Sequence, residues 1–158
     1  MAETEPVTRA SLRVVPIAAP VVMAAVPERT WSDQEWQRIR LGYRADDMDE
    51  KWDVFVEDRV AFLHRSWTGH GVFEATFEPV AGRGWRIATG VVEADAARYR
   101  RSGDHYDRVL LELVLTAIVL GEPAAALRAE LVALVALESG RSDIPAGLVL
   151  HSVLGLRS

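Results

Sequence analysis

The stretch "KWDVFVEDRVAFLHRSW", residues 51–67, decides the fold because polar and apolar residues alternate on both sides of a two-residue turn. A turn at Asp58 and Arg59 makes this stretch a β-hairpin, and the turn sets the register of the two strands. The resulting cross-strand pairs are Glu57 with Val60, Asp53 with His64, Trp52 with Arg65 and Lys51 with Ser66. The hairpin is therefore the local unit around which we build the fold.

The same register divides the hairpin into two faces. One face is apolar apart from a single guanidinium: Trp52, Val54, Val56, Ala61, Leu63, Arg65 and Trp67. The other face mixes charged, aromatic and polar side chains: Lys51, Asp53, Phe55, Phe62, His64 and Ser66. We expect the first face to cover a core and the second to be solvated.

Two further stretches have the spacing of strands. "GVFEATFEP" at 71–79 alternates apolar and polar residues, and "WRIATGVVEA" at 85–94 follows after the turn sequence "AGRG". In the second stretch Trp85, Ile87, Thr89 and Val91 are expected to share one side. Four sequential strands joined by short turns predict an antiparallel meander.

A short helix is predicted before the sheet. In "TWSDQEWQRIRLGY", residues 30–43, Ser32 and Glu35 have the spacing of a capping box. Trp31 and Trp36 occupy the two positions of a hydrophobic staple. These signals predict a helix over 33–42 that ends near Gly42.

The C-terminal third is predicted to be helical. "DHYDRVLLELVLTAIVLG", 104–121, indicates a buried helix closing at Gly121, and Pro123 then suits the first position of a second helix with a stripe of Leu127, Leu131 and Leu134. "DIPAGLVLHSVLGL", 143–156, has the weaker pattern of a short third helix. The chain is therefore expected to be α+β, with a short N-terminal helix, a four-stranded antiparallel meander and C-terminal helices packed on one face of the sheet.

At 158 residues the chain is expected to form one domain with extensions. We assign 1–29 to an extended or disordered arm, 30–121 to the α+β domain and 122–158 to a helical extension. The extension packs on the domain or lies in a homodimer interface.

The apolar run "RVVPIAAPVVMAAVP" at 13–27 is broken by three prolines and is shorter than a spanning helix.

Composition excludes several classes of function. The net charge of −5 disfavours nucleic acid as a partner, and the absence of cysteine excludes disulfides, thiolate nucleophiles and thiolate-ligated metals. Four histidines are scattered without ligand spacing, so neither a metal nor another cofactor is expected. We expect a cytoplasmic protein with no membrane segment.

A rim of aromatic and cationic residues is the leading candidate for a binding site. Arg65 lies between Trp52 and Trp67, where its donors need a carboxylate, a carbonyl or a ligand anion. The internal candidates are Glu35, Asp46, Asp47 and Asp49. The candidate ligand-binding residues are Lys51, Trp52, Arg65, Trp67, Thr68 and Gly69, with the glycine turn forming either an anion-binding nest or an ordinary reversal.

Two alternatives compete with a noncatalytic binding domain. Asp53 opposite His64 resembles the orienting pair of a catalytic triad, which would make His64 the base of an enzyme acting on a nucleotide-like substrate. Strand alternation opposes this reading because His64 and Arg65 point to opposite faces. The acidic residues Asp46, Asp47, Asp49 and Glu50 instead suggest an antitoxin or immunity protein, or simply a solvated loop.

The elements "DMDEKWDVFVED" and "FLHRSWTGHGVFEATFE" resemble a small bacterial domain family recognised by its "KW" and "HRSWTG" motifs. The resemblance covers roughly residues 31–120. Members of that family occur alone or beside ADP-ribose-processing macrodomain proteins. The resemblance implies an α+β fold and a nucleotide or ADP-ribose setting, and it supplies no catalytic residue. We therefore expect an accessory domain that recognises a small anionic ligand or a protein partner.

Overall fold

The computed structural model describes residues 5–140, 143 and 145–157. Within them lie six strands, four α-helices, a 3₁₀ turn at Arg9–Ser11 and a π-helical segment at Val114–Val119. The strands are β1 (Pro20–Val22), β2 (Thr30–Trp31), β3 (Trp52–Glu57), β4 (Val60–Arg65), β5 (Gly71–Pro79) and β6 (Trp85–Glu93). The helices are α1 (Asp33–Leu41), α2 (Asp104–Leu113), α3 (Ala125–Ser139) and α4 (Ala146–Val153). The fold is α+β with an antiparallel sheet.

The hairpin register is confirmed at every predicted pair. β3 and β4 are antiparallel, with Glu57 opposite Val60 and Asp53 opposite His64. One residue beyond the ladder, the Ser66 amide donates to the Lys51 carbonyl at 2.9 Å. Strands β3 to β6 follow one another across the sheet, as a meander requires.

The expectation of four strands is corrected to six. β1 and β2 both pair with the outer edge of β6, so the segment before α1 completes the sheet. These strands are three and two residues long. An alternating pattern can be recognised only over about four residues or more, so these two strands are too short to be predicted from it.

The inward side of β6 also differs from the expected alternation. Phe73 lies opposite Val92 and Phe77 opposite Ile87, so β6 uses one more residue than β5 over the same length. This bulge moves Thr89 out to an exposed position. Beyond an extra residue, each side chain points to the face opposite the one that alternation predicts. The prediction that Thr89 shares one side with Trp85 and Ile87 is therefore wrong.

The second face of the hairpin is covered, not solvated. The guanidinium of Arg9 lies over the rings of Phe55 and Phe62, 4.8 and 5.0 Å from their centroids, and it forms an ion pair with Glu57. Beneath this segment His64 is only 3% exposed. The arm therefore crosses the sheet in an extended path. Residues 1–4 of its predicted range lie outside the described residues.

Helix α1 is confirmed together with its capping box, since Ser32 and Glu35 each accept the other's backbone amide hydrogen. The long buried helix after the sheet is present, but its last part, Val114–Val119, has π-helical hydrogen bonding. Helix α3 begins at Ala125 and not at Pro123, because Ala124 has a left-handed conformation (φ 51°).

The C-terminal extension contributes to the core under the sheet. Leu131 of α3 and Leu154 after α4 are fully buried in the same hydrophobic cluster as Leu63. Residues 141, 142, 144 and 158 of the extension lie outside the described part of the chain. In that described part, no helix combines the length and the hydropathy needed to cross a bilayer.

Candidate functional site

His64 and Arg65 lie on opposite faces of the sheet, as the register dictates. His64 stacks on Phe55 with 5.4 Å between ring centroids, and its Nδ1 has no hydrogen-bond partner among the described residues. Burial lowers the pKa of His64 to about 4, with the carbonyl of Phe62 acting in the opposite direction. His64 is therefore a neutral imidazole in the covered layer between sheet and arm.

Asp53 does not orient His64. One of its carboxylate oxygens accepts the Ala45 amide hydrogen at 2.8 Å, and burial raises its pKa. The nearby Ser66 hydroxyl donates to the Glu50 carbonyl at 2.8 Å. Asp53, His64 and Ser66 thus form no connected triad in the described residues.

Arg65 has backbone carbonyls as its partners, one of the kinds of partner considered from the sequence, and none of the four candidate carboxylates. Its guanidinium donates to the carbonyls of Val153 at 2.8 Å and Ser152 at 3.3 Å, at the end of α4. It also lies 4.8 Å from the ring centroid of Trp52. Burial lowers the pKa of Arg65, yet a guanidinium remains charged at neutral pH. No carboxylate among the described residues forms an ion pair with Arg65, so its positive charge is not balanced locally.

Lys51 and Trp67 form a second cation–aromatic pair beside Arg65. The ammonium of Lys51 lies 4.1 Å from the ring centroid of Trp67, which is 55% exposed. Both side chains donate to the carbonyl of Met48, at 3.0 and 3.1 Å respectively. In the described part of the chain, no carboxylate pairs with Lys51.

The glycine turn is a structural reversal and not an anion nest. The Gly69 amide donates to Arg65, the Gly71 amide donates to Val15, and the His70 amide donates to the hydroxyl of Thr68. Gly69 has φ 78°, and a Cβ there would lie 2.6 Å from the Arg13 carbonyl oxygen. Glycine is needed at position 69 for this close approach of the arm. The amides of Gly69, His70 and Gly71 are not available to a ligand because each already donates to a protein acceptor.

Four of the six predicted binding residues meet in one pocket of about 460 Å³. We call this the cationic pocket; its lining residues are Lys51, Arg65, Trp67, Thr68, Arg98, His151 and Ser152. Trp52 is buried beside it and donates to the Val153 carbonyl at 3.0 Å. Trp52 and Gly69 are not among the residues that line the pocket.

Sequence reasoning missed Arg98 and His151. Arg98 follows β6, donates to the Pro16 carbonyl at 3.2 Å and lies 3.9 Å from Asp95. His151 comes from α4 and lies 3.2 Å from Asp49. Neither residue is near the hairpin in sequence, so no local pattern could have joined them to it.

The acidic segment before β3 is not one free acidic surface. Glu50 is 1% exposed and accepts a hydrogen bond from the Tyr43 hydroxyl. The Asp49 carboxylate lies within hydrogen-bond distance of His151, and the backbone carbonyl of Asp49 accepts the Leu156 amide hydrogen. Among the described residues, no three His, Asp or Glu side chains are grouped so that they could hold a metal ion.

Comparison of the chain with protein-family models, curated proteins and solved structures finds no match. Function is therefore inferred from the geometry of this chain.

Proposed function

We propose that the protein is a noncatalytic binding domain whose ligand is a small anion held in the cationic pocket. The observation that carries this proposal is the unbalanced charge of the pocket. Lys51 and Arg65 both line it, and both have only carbonyl and aromatic partners among the described residues. Concentrated positive charge in a chain of net charge −5 attracts anions locally despite the overall charge.

The chemistry of the pocket suits a phosphate or a carboxylate. The ammonium of Lys51 and the guanidinium of Arg98 come from different segments and supply charged donors. The exposed indole of Trp67 offers a surface for an aromatic or apolar group of the ligand. The volume of about 460 Å³ lies in the usual range of small-molecule sites. Nucleotides and ADP-ribose are the first compounds to test, because of the resemblance described above.

The enzyme alternative, with His64 as base, has less support. A general base must reach the proton that it removes, whereas His64 is only 3% exposed and lies on the face opposite Arg65. The antitoxin or immunity alternative loses the continuous acidic surface that it needs, since Glu50 is buried.

A thermal-shift titration tests the proposal. Pyrophosphate, AMP and ADP-ribose are added to the wild-type protein and to a Lys51→Ala/Arg98→Ala variant. At one hundred times its dissociation constant a ligand stabilises the folded protein by about 2.7 kcal/mol. We expect at least one of these anions to stabilise the wild type, and the double variant to lose that shift.

The matched control is Arg40→Ala/Arg128→Ala, which removes the same amount of positive charge away from the pocket. This control should keep the shift. The proposal is wrong if none of the anions raises the melting temperature, or if both double variants respond like the wild type. Arg65→Ala is measured alongside, because its bonds to α4 predict a loss of stability without ligand.

A further inference from the structure

Trp67 lines a second cavity as well as the cationic pocket. This cavity has a volume of about 330 Å³ and lies between the arm, the segment after α1 and the start of β3. We call it the Asp53 cavity; the charged residues of its lining are Arg13, Arg44, Asp46, Asp47 and Asp53. Because the two cavities share Trp67, they are neighbours across one side chain.

Asp53 gives this second cavity a defined chemistry. The residue is only 7% exposed, and one of its carboxylate oxygens accepts the Ala45 amide hydrogen at 2.8 Å. The other oxygen has no hydrogen-bond partner among the described residues. This oxygen is not enclosed and keeps contact with solvent in the cavity, so it can accept a hydrogen bond from a donor that enters there.

The side chains that separate the cavities are held in place. The indole nitrogen of Trp67 and the ammonium of Lys51 both donate to the carbonyl of Met48, which itself lines the Asp53 cavity. Lys51 also covers the Trp67 ring. These contacts fix the positions of Lys51 and Trp67 between the two cavities.

The two cavities differ in the sign of their charge. The described lining of the cationic pocket contains Lys51, Arg65 and Arg98 and no carboxylate. The lining of the Asp53 cavity has one more carboxylate than guanidinium groups, and its most buried charged residue is Asp53. A ligand that reaches both cavities meets positive charge at one end and negative charge at the other.

We infer that the two cavities form one bipartite site for a dipolar ligand, with a phosphate or similar anion in the cationic pocket and a protonated amine against Asp53. This inference rests on the proposed function for the anionic end. It adds the chemical class of the other end, which the cationic pocket does not specify. Electrostatic complementarity at both ends would select such a ligand against simple anions.

The test uses alkyl phosphates and ω-aminoalkyl phosphates of increasing chain length, titrated into the wild-type protein by calorimetry. At the length that spans Trp67 we expect the aminoalkyl phosphate to bind at least tenfold more tightly than the alkyl phosphate of equal length. Asp53→Asn keeps an oxygen for the Ala45 amide and should reduce this ratio to less than twofold. Asp33→Asn, at the exposed start of α1, should preserve the ratio.

A second measurement does not depend on whether the Asp53 variant folds. The amide resonance of Ala45 in the wild type should shift with the aminoalkyl phosphate and not with the alkyl phosphate. If alkyl phosphates bind but the amine adds nothing at any length, the bipartite site is refuted while the anion site stands. An amine advantage that survives Asp53→Asn also refutes the bipartite site. If neither series binds, both the anion site and the bipartite site are wrong.

Discussion

Buried ionisable side chains in this protein differ in how their polar atoms are satisfied. Glu93 is fully buried and accepts hydrogen bonds from the amides of Ala18, Ala19 and Asp95. Burial opposes its ionisation, but these three bonds hold its pKa below the usual value. His64 is equally enclosed and has no such help at Nδ1. At a similar degree of burial, hydrogen bonds therefore keep Glu93 charged, whereas His64 is neutral.

His64 should make the stability of the protein depend on pH. The unfolded chain takes up a proton near the ordinary pKa of 6.5, whereas folded His64 does so at about 4. Between these values the unfolded state binds more protons, so stability falls as the pH is lowered. The contribution to the free energy of unfolding is about 2 kcal/mol between pH 7 and pH 5.

Urea unfolding at pH 7 and pH 5 measures this effect. His64→Phe keeps an aromatic ring against Phe55 and should remove most of the difference between the two pH values. His105→Gln, at a position exposed on α2, should retain it. Equal pH dependence in the wild type and His64→Phe would show that His64 is not the responsible group.

At the scale of elements, the N-terminal arm forms part of the sheet and covers it. Glu93 holds the arm where β1 begins to pair with β6, and the bridge between Val15 and His70 holds it above the glycine turn. Arg9 closes the far end over Phe55. The arm is therefore attached at several separated points, and it covers Phe55 on the face that also holds the buried His64.

Glu93→Gln should loosen the arm. The amide oxygen of glutamine can still accept a hydrogen bond, but it lacks the charge that strengthens three bonds to backbone amides. We expect a loss of about 1–3 kcal/mol in the free energy of unfolding. Hydrogen exchange at the Ala18 and Ala19 amides should accelerate.

Glu78→Gln is the matched control for the arm. Glu78 pairs with Arg86 on a surface where both side chains are substantially exposed, so its removal should cost about 1 kcal/mol or less. Unchanged exchange at Ala18 and Ala19 in Glu93→Gln would mean that Glu93 does not anchor the arm.

At the scale of the whole molecule, the sheet and the C-terminal helices share a core. Leu154 follows α4 and is fully buried, while the nearby Val153 carbonyl accepts hydrogen bonds from both Trp52 and Arg65. The extension therefore closes the sheet face at the cationic pocket. Small domains joined by one contiguous core usually unfold in a single transition.

Leu154→Ala tests whether the extension unfolds together with the sheet. Truncating a buried leucine should lower the free energy of unfolding by about 2–5 kcal/mol. Tryptophan fluorescence and far-ultraviolet circular dichroism should still report one coincident transition. Leu156→Ala, at a position 54% exposed, should change stability by roughly 0.5 kcal/mol or less. Separate transitions for the two probes would indicate that the extension is an independent unit.

Much of the fold could be predicted because its signals are local. The Asp58–Arg59 turn sets the register of β3 and β4, and the capping box at Ser32 sets the start of α1. The candidate site was predictable only on the hairpin itself. Lys51, Arg65, Trp67 and Thr68 were predicted there, whereas Arg98 and His151 reach the pocket from the turn after β6 and from α4.

By itself the sequence determined which residues share a face of the hairpin, since a period of two and a two-residue turn leave no other register. It therefore already separated His64 from Arg65. Only the tertiary structure decided what covers each face: the arm over His64, and the carbonyls of α4 against Arg65. Alternation sorts side chains into two faces, but the burial and the partners of a face depend on segments that are distant in the chain and reach it only when the whole domain folds.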